Sequence, residues 1–470
     1  MMSLFNIMNM AGQSLSVQQQ ATAVAGQNLA NVNNPAYADE QLQIQSATPL
    51  QTSVGQEGTG VESTAITSLR NALLDSQIVA EGSVTGSLNS QQSALQDAET
   101  YLDEQISGST SSDGGTSSPN GLAADLSGLF SSLQTLSNDP SNISDRQAVV
   151  QSAQQVTEQF NQVSSGLATV ASNLNTSIQN DVAASNQDLT QIAALNQQII
   201  QAQASGGSAN DLVDEREKTI EDLAGKMNVT TAAQSDGAIN VSIGGFTMVS
   251  GGSTTDNLGT VTNANGQLVI AEGNYGAPVS LSGGSVEGSL TARDGALATL
   301  QSSLNTLAWQ VISQVNTVYS KGYDLNGNTG QNFFTGSTAA DIGVNSTLVN
   351  DPSTFQAAGV AGAPGDNTVV SALAQLANQS NSALNNQTLT QNYAETVSTL
   401  GSSLQSVNDQ LDNSTSVSQM LASQRASTSG VDTDTEMTNL MQFQKAYQAS
   451  AELITTINEM METVVNMKTE

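Results

Sequence analysis

The chain has 470 residues, of which 42 are acidic and 10 basic; histidine and cysteine are absent, and the formal net charge is −32. Those absences exclude disulfides, thiolate metal centres, cysteine nucleophiles and Ser-His-Asp triads, because the reacting atoms do not exist here. Ten scattered cations cannot neutralise a phosphate track, and 3% aromatic residues supply few stacking platforms, so no nucleic-acid partner is expected.

No apolar run reaches the roughly 18 residues that a membrane helix needs, so no membrane partner is expected either. The first Lys or Arg in the chain is Arg70. A secretory signal peptide needs a basic start and a continuous apolar stretch, and neither is present. Taken alone, this reads as a cytoplasmic protein, or as one exported by a route that needs no cleavable signal.

Leu4, Met8, Ala11, Leu15, Gln18, Thr22, Ala25, Leu29 and Val32 keep a 3-4 rhythm, which predicts a first helix with Ser3 as its N-cap. Pro35 ends it in the turn Asn33 to Tyr37, and residues 38–68 read as extended structure and loop. A second helix is predicted over 68–106, marked by Leu69, Leu73, Ile78, Leu88, Leu95 and Leu102. Residues 107–121 are low-complexity loop. A short helix follows from Leu122 to Leu136, stopped at Asp139-Pro140, and a long one opens at Ser144. Its seam runs through Ala153, Val156, Phe160, Val163, Leu167, Val170 and Leu174, then shifts to Val182, Leu189, Ile192 and Ile199. Unbroken to Ala204, such a helix is about 90 Å long and needs partner helices throughout.

Near Met227 the pattern changes to Gly, Val, Ile and Thr, with alternation over Ile239–Ile243 and a turn pair at Asn265-Gly266, which predicts short antiparallel strands. Helical period returns with Leu297, Leu300, Leu304, Leu307, Val311, Val315 and Val318. After an Asn/Gly-rich stretch the chain is helical again, with Leu400, Leu404, Val407, Leu411 and Leu421 on one seam. Leu440, Phe443, Tyr447, Ser450, Ile454, Ile457, Met461 and Val464 form the last, and Thr433 with Glu436 reads as its capping box. The predicted fold is mainly α with a small antiparallel β segment. Its N- and C-terminal helices pair as a coiled-coil-like hairpin beside a long helical bundle.

Three places invite a catalytic or metal reading. The acidic pairs Asp103-Glu104 and Asp214-Glu215 have the residue type of glycosidase carboxylates, and a secreted muramidase is the rival they support. Adjacent helical residues diverge by about 100°, and a sugar cleft lacks its aromatics, so solvated faces are expected. DLNGNTG (Asp324 to Gly330) suggests a calcium loop, but Thr329 and Thr335 stand where such a loop wants Gly and Glu, so a tight Asn-Gly turn is expected. DEREK (Asp214 to Lys218) reads as a local salt-bridge face. No catalytic, cofactor-binding or metal-binding residue is assigned, and no enzyme is expected.

The terminal seams carry more. Gln18 and Thr22 interrupt the first, too weak to be an independent core. The last helix has an additional apolar row, Ala446, Leu453, Met460 and Met467. Burying one such large side chain contributes about 1.5–3 kcal/mol, so a face this wide asks for more cover than one modest helix gives. Leu4, Met8, Leu15, Leu29, Val32, Leu440, Phe443, Tyr447, Ile454, Ile457, Met461 and Val464 are the expected assembly interface.

NLANVNNPAY (Asn28 to Tyr37), with Asn28, Asn31, Asn33, Pro35 and Tyr37 as its marks, resembles the N-terminal motif of flagellar axial proteins, the rod, hook and hook-associated proteins. The run from Ser429 to Met467 is similar to the closing helix of that superfamily. KGYDLNGNTGQNFF (Lys321 to Phe334), following a helix with Trp309, and DEREK followed by strands resemble the hook-associated branch that joins hook to filament. Hook and rod proteins are predominantly β between their terminal helices, which the helical pattern at 122–226 does not match.

The resemblance implies a non-enzymatic structural adaptor, exported unfolded by the flagellar type III route without a cleavable signal. Its implied partners are identical subunits, the hook protein, the next junction protein and a cytoplasmic export chaperone on the C-terminal helix. It also implies a division into a terminal assembly region (1–67 with 400–470), a helical rod domain (68–226 with 291–399, looped at 321–365) and a small β-rich segment (227–290). Only about 30 residues separate Phe334 from the next helix, so the outer β domain of many relatives is expected to be absent or vestigial. The family pattern Thr-Pro-Gly-Tyr then Ser-Arg-Gln is here Asn34-Pro35-Ala36-Tyr37 then Ala38-Asp39-Glu40. If that glycine needs φ > 0, Ala36 costs roughly 1–2 kcal/mol or the turn differs, and any salt bridge made by the replaced cation is put in doubt by Asp39.

Overall fold

Apolar residues three and four apart, with no interrupting proline, make Leu4–Ala30 the first helix, α1, in a computed structural model that describes residues 4–52, 55–102, 121–264, 266–273 and 276–467. Strands β1 (Glu40–Ser46), β2 (Leu50–Thr52), β3 (Gly55–Glu57) and β4 (Val61–Ser68) follow, then helices α2 (Ala72–Leu102), α3 (Leu122–Leu136), α4 (Ile143–Ala204) and α5 (Asn210–Lys226). Next come β5 (Val229–Ala233), β6 (Ile239–Ile243), β7 (Phe246–Ser250), β8 (Ser253–Thr254), β9 (Leu258–Thr262) and β10 (Leu268–Glu272). Helix α6 (Ser285–Thr291) passes through a π-helical turn, Ala292–Leu297, into α7 (Ala298–Tyr319). The two-residue strands β11 (Phe334–Thr335) and β12 (Gly343–Val344) and the helices α8 (Ser346–Asn350), α9 (Thr368–Gln375), α10 (Leu389–Ser429) and α11 (Thr433–Asn466) complete the chain. The fold is mainly α with small antiparallel sheets, as the periodicity predicts. The Ser3 cap, Asp103-Glu104, the loop at 107–120 and Asn265 lie outside the described residues.

The chain forms two compact units whose limits fall inside α2, α4 and α10: residues 1–85, 182–284 and 413–470, and residues 86–181 with 285–412. These limits differ from divisions drawn at changes of composition, because a helix that leaves one core for another does not change composition. What changes is the seam. The shift after Leu174 toward Val182 coincides with the limit at Asp181.

In the second unit, α4 residues Val156, Phe160, Val163 and Leu167 are buried with Leu126, Leu129 and Leu133 of α3 and Leu300, Leu304 and Val311 of α7. Tyr319, Phe333 and Phe355 meet edge to face, with ring centroids 5.2–5.8 Å apart. Arg146 is fully buried beneath them, its Nε donating to Pro140 O at 2.7 Å and Nη1 to Phe355 O. Asp324 accepts from the backbone N–H groups of Asn326 and Asn328, both at 2.8 Å, and Gly327 takes φ 82°, so DLNGNTG is a self-bonded turn. Between β11 and α9 the chain holds only the β11–β12 ladder, α8 and a single 3-10 turn.

In the first unit, β5–β6–β7–β8 form an antiparallel sheet, and β9 pairs with β10. Alternation along β6 buries Val241 and Ile243, and Ile192, Ile199 and Leu223 of the same unit are buried as well. Asn196 of α4, fully buried, joins helix to sheet: Nδ2 donates to Ile239 O and Gly251 O, both at 2.8 Å, and Oδ1 accepts from Ile239 N. At the start of α2 the inward residues are Leu74 and Val79, whereas Leu69 and Leu73 are exposed, so the predicted seam there is one position out of phase.

Candidate assembly interface

α1 and α11 pack side by side and antiparallel: Ser14 Oγ meets Ser450 Oγ at 3.1 Å, and Asn28 meets Glu436 at the other end. Asn28 is 1% exposed and uses its whole amide. Nδ2 donates to Glu40 O at 2.9 Å and Glu436 Oε2 at 3.2 Å, while Oδ1 accepts from Tyr37 Oη at 2.8 Å and Glu40 N at 3.1 Å. One side chain thus ties the end of α1, the turn, the start of β1 and the start of α11. Burial, followed by the nearby Glu40, pushes the Tyr37 phenol well above its ordinary value, so it stays a donor.

A second node lies behind the turn. Arg70 donates through Nη2 to Ala36 O at 2.7 Å and Asp214 Oδ1 at 2.8 Å, and through Nη1 to Asp75 Oδ2 at 3.2 Å. Asp214 Oδ2 accepts from Ala38 N at 3.0 Å. Burial works against the Arg70 cation, but Asp214 and Asp75 outweigh it and raise its pKa; burial also lifts the Asp214 carboxyl, against the pull of Arg70. DEREK is only in part a local salt-bridge face: Arg216 pairs with Glu217 at 3.3 Å and Lys218 with Asp222 at 2.8 Å, but Asp214 pairs with Arg70. Asp214 and Arg216 both turn inward, the latter donating through Nη1 to Asn196 Oδ1 at 3.1 Å and Gly237 O at 2.8 Å. Glu215 is exposed, so the adjacent carboxylates share no space in which to act on a substrate. Sequence reasoning missed Arg70 as a functional residue, though its place as the first cation in the chain was a signal.

The capping box also needs correction. Asp432 is the N-cap of α11, its carboxylate accepting from the N–H groups of Asp434 and Thr435, and Glu436 turns instead to Asn28 and Asn439. An acceptor one residue earlier serves the free N–H groups and releases Glu436 for long-range use. Replacing Asp432 by Ala is expected to speed hydrogen exchange at the Asp434 and Thr435 amides while leaving the rest of α11 unchanged.

Of these two helices, α11 lies within a match to a known protein family. Residues 115–334 match the flagellar hook-associated protein FlgK helical domain, and residues 418–467 match the flagellar basal body rod FlgEFG protein C-terminal family. Both matches are to flagellar axial proteins, and each covers less than half of the chain. It is 30% identical over 168 residues to flagellar hook-associated protein 1 of Salmonella typhimurium, covering 34% of this chain and 30% of that protein. The Escherichia coli protein of the same name is 29% identical over 154 residues, 31% of this chain and 28% of its own length. The chain thus spans less than a third of these relatives. The structure of the flagellar hook junction protein FlgK from Burkholderia pseudomallei aligns with TM-score 0.47 and 27% identity, over 55% of this chain and 46% of that one.

Of the residues that mark the expected axial-protein motif, Asn28 and Tyr37 are buried, Asn31 bonds Gln27 O at 3.1 Å, and Asn33 and Pro35 are exposed. Ala36 carries no strain: Asn385 and Asn386 are the non-glycine residues with positive φ among the described residues, so this turn is not left-handed at Ala36. Along the expected interface Ile457 is buried, and Leu4, Met8, Leu15, Leu29, Val32, Leu440, Phe443, Ile454 and Met461 are half-buried, while Tyr447 and Val464 are exposed. Met437, Met441, Leu453, Met460 and Val465 of α11 are also exposed, Met441 at 58% and Val465 at 63%.

Asp39, where the family pattern has a cation, forms no salt bridge among the described residues; its Oδ1 is buried without a hydrogen bond. Burial, then repulsion from Glu436, raises its pKa to about 6. The folded state therefore binds this proton more tightly than the unfolded chain does. The resulting stabilisation is complete below the unfolded value of 3.8 and is lost as pH rises through about 6. Asp39→Asn is expected to stabilise the first unit by about 1 kcal/mol at neutral pH, discounted for solvent screening, and to change little in acid. Urea melts at the two pH values check this; equal effects at both contradict it.

Proposed function

We propose that this protein is a non-enzymatic structural adaptor of the bacterial flagellum, joining hook to filament. The observation that carries the reading is the terminal pair. α1 covers one side of α11 and leaves a row of large apolar side chains open on the helix that matches the rod-type C-terminal family. An apolar row of that length on a chain of net charge −32 suits burial against neighbouring subunits. Identical subunits, the hook protein and the next junction protein are its assembly partners, and a cytoplasmic export chaperone shields α11 before assembly. The protein leaves the cell by the flagellar type III route and resides at the hook–filament junction. No described helix is long and apolar enough to cross a membrane.

The helical α3–α5 region favours this role over that of a hook or rod subunit, whose family likeness implies β structure there. Recovery of the protein in isolated hook–filament structures is the expected result. Its confinement to the cytoplasm contradicts the proposal.

A further inference from the structure

Sulfur occurs in this chain only as methionine: there are 12 methionines and no cysteine. The fold sorts them sharply. Met227 and Met248 are wholly buried in the first unit, whereas every methionine exposed among the described residues lies between positions 420 and 467. Met420 is on α10, Met437, Met441 and Met460 are on α11, and Met467 is the C-cap of α11; their exposures run from 48% to 76%. The fold uses the other side of α11, where Ile457 is buried and Leu440, Phe443 and Ile454 are half-buried. The thioethers therefore stand on the part of this helix that the free chain leaves open.

A thioether sulfur in solvent is a soft two-electron reductant. With a peroxide, its lone pair takes the distal oxygen: an S–O bond forms, the O–O bond breaks, and the proton of the transferred hydroxyl passes to the leaving hydroxide as water. Sulfur is oxidised by two electrons and the peroxide reduced by two. A thiolate ordinarily intercepts such an oxidant first, and this chain has none. Hydrogen peroxide is uncharged, so a net charge of −32 does not keep it away. Met227 and Met248 offer it no surface. The product is a polar sulfoxide in place of an apolar side chain, and burying its oxygen without a donor is unfavourable. On α11 that oxygen stands among the apolar side chains an assembly would bury, while the core of the unit is untouched.

We propose that α11 is an oxidation site: a peroxide converts Met437, Met441 and Met460 to sulfoxides in the folded chain, and the oxidised helix no longer joins hook structures. The second half rests on the assembly reading above and adds a chemical condition to it, that only the reduced helix assembles. The modification is reversible, since methionine sulfoxide reductases return the thioether at the expense of a dithiol.

The purified full chain is treated with hydrogen peroxide, the reagent is removed with catalase, and oxygen gained at each methionine is followed by peptide mass spectrometry. The expected result is oxidation of Met437, Met441 and Met460 at least about tenfold faster than of Met227 and Met248, with helix content unchanged by circular dichroism. Equal rates, or loss of helix, overturn the proposal. Binding to hooks isolated from a strain lacking the gene is then measured by co-sedimentation. The oxidised chain is expected to bind at least about tenfold less than the untreated chain, and a reductase with dithiothreitol is expected to restore it. The triple variant Met437→Leu, Met441→Leu, Met460→Leu keeps the apolar volume, so it is expected to bind with or without peroxide. Undiminished binding of the oxidised chain overturns the proposal, and so does a triple variant that peroxide still inactivates. If the triple variant fails to bind even untreated, the reductase decides: binding regained by the oxidised chain supports the proposal, and binding not regained overturns it. If the untreated chain itself does not bind, the assembly reading falls together with the second half, and the pattern of oxidation alone decides the site.

Discussion

Replacing Arg70 by Met lowers the stability of the first unit by about 3–5 kcal/mol, the range for a buried ion pair that loses one partner. The guanidinium bonds Asp214, Asp75 and Ala36 O, and these belong to α5, α2 and the turn after α1. Methionine fills most of the volume but leaves the buried Asp214 without its cation and the buried Asp75 with Arg425 alone, at 3.9 Å. Removing the second charge as well, in Arg70→Met with Asp214→Leu, is expected to recover part of the loss, because two apolar groups need no partner. Urea unfolding of the three proteins measures this. A single substitution costing under about 1 kcal/mol would mean the pair behaves as a solvated surface bridge.

Asn28→Ala is expected to cost about 3 kcal/mol. A satisfied neutral hydrogen bond contributes about 1 kcal/mol, but removing this amide leaves the Tyr37 hydroxyl, the Glu40 amide group and the Glu436 carboxylate short of partners at once. The contributions are not additive, since the four bonds share one side chain. Asn28→Asp is the sharper control. It keeps the acceptor for Tyr37 and Glu40 N–H, loses both donors, and sets a second carboxylate against Glu436, so it should be at least as damaging above neutral pH. Hydrogen exchange should then quicken across α1 and the first turns of α11 together. Faster exchange in α1 alone contradicts the assignment of Asn28 as the link between the chain ends.

These two nodes also mark what could be read from the sequence. The 3-4 seams predict the helices and the core faces of α4 and α7, but along α1 the buried face is Val17, Ala21, Val24 and Asn28, mostly one position before the predicted Gln18, Thr22, Ala25 and Leu29. Phe160 in α4, Leu304 in α7 and Ile457 in α11 sit where the rhythm puts them. The rhythm is less informative at a helix end, where few turns remain to define a face. There the rhythm points Leu73 inward where the fold buries Leu74, and the spacing favours Thr433 as the cap where Asp432 serves. Arg70 and Asp214 are 144 residues apart, and the Asn28 and Glu436 side chains 408. Spacing predicts neighbours within an element and says nothing of partners at such separation.

The abundance of asparagine has a physical use that composition alone did not reveal. Asn28, Asn186, Asn196 and Asn316 each offer both ends of an amide to the backbone of an adjoining segment. An uncharged group that both donates and accepts can dock a strand or turn on a helix without burying charge, and a chain already at −32 gains by that economy.

The same charge makes sense of the open surfaces. In the free chain it keeps molecules apart while Met441, Val465 and their neighbours on α11 stay exposed. Assembly then has to proceed through apolar and uncharged faces. The central claim is that this assembly forms the joint between hook and filament. Deleting the gene and viewing the cells by electron microscopy tests it most directly. Hooks without filaments, with flagellin released to the medium and filaments restored by the intact gene, is the predicted result; normal filaments on the deletion strain would contradict the account.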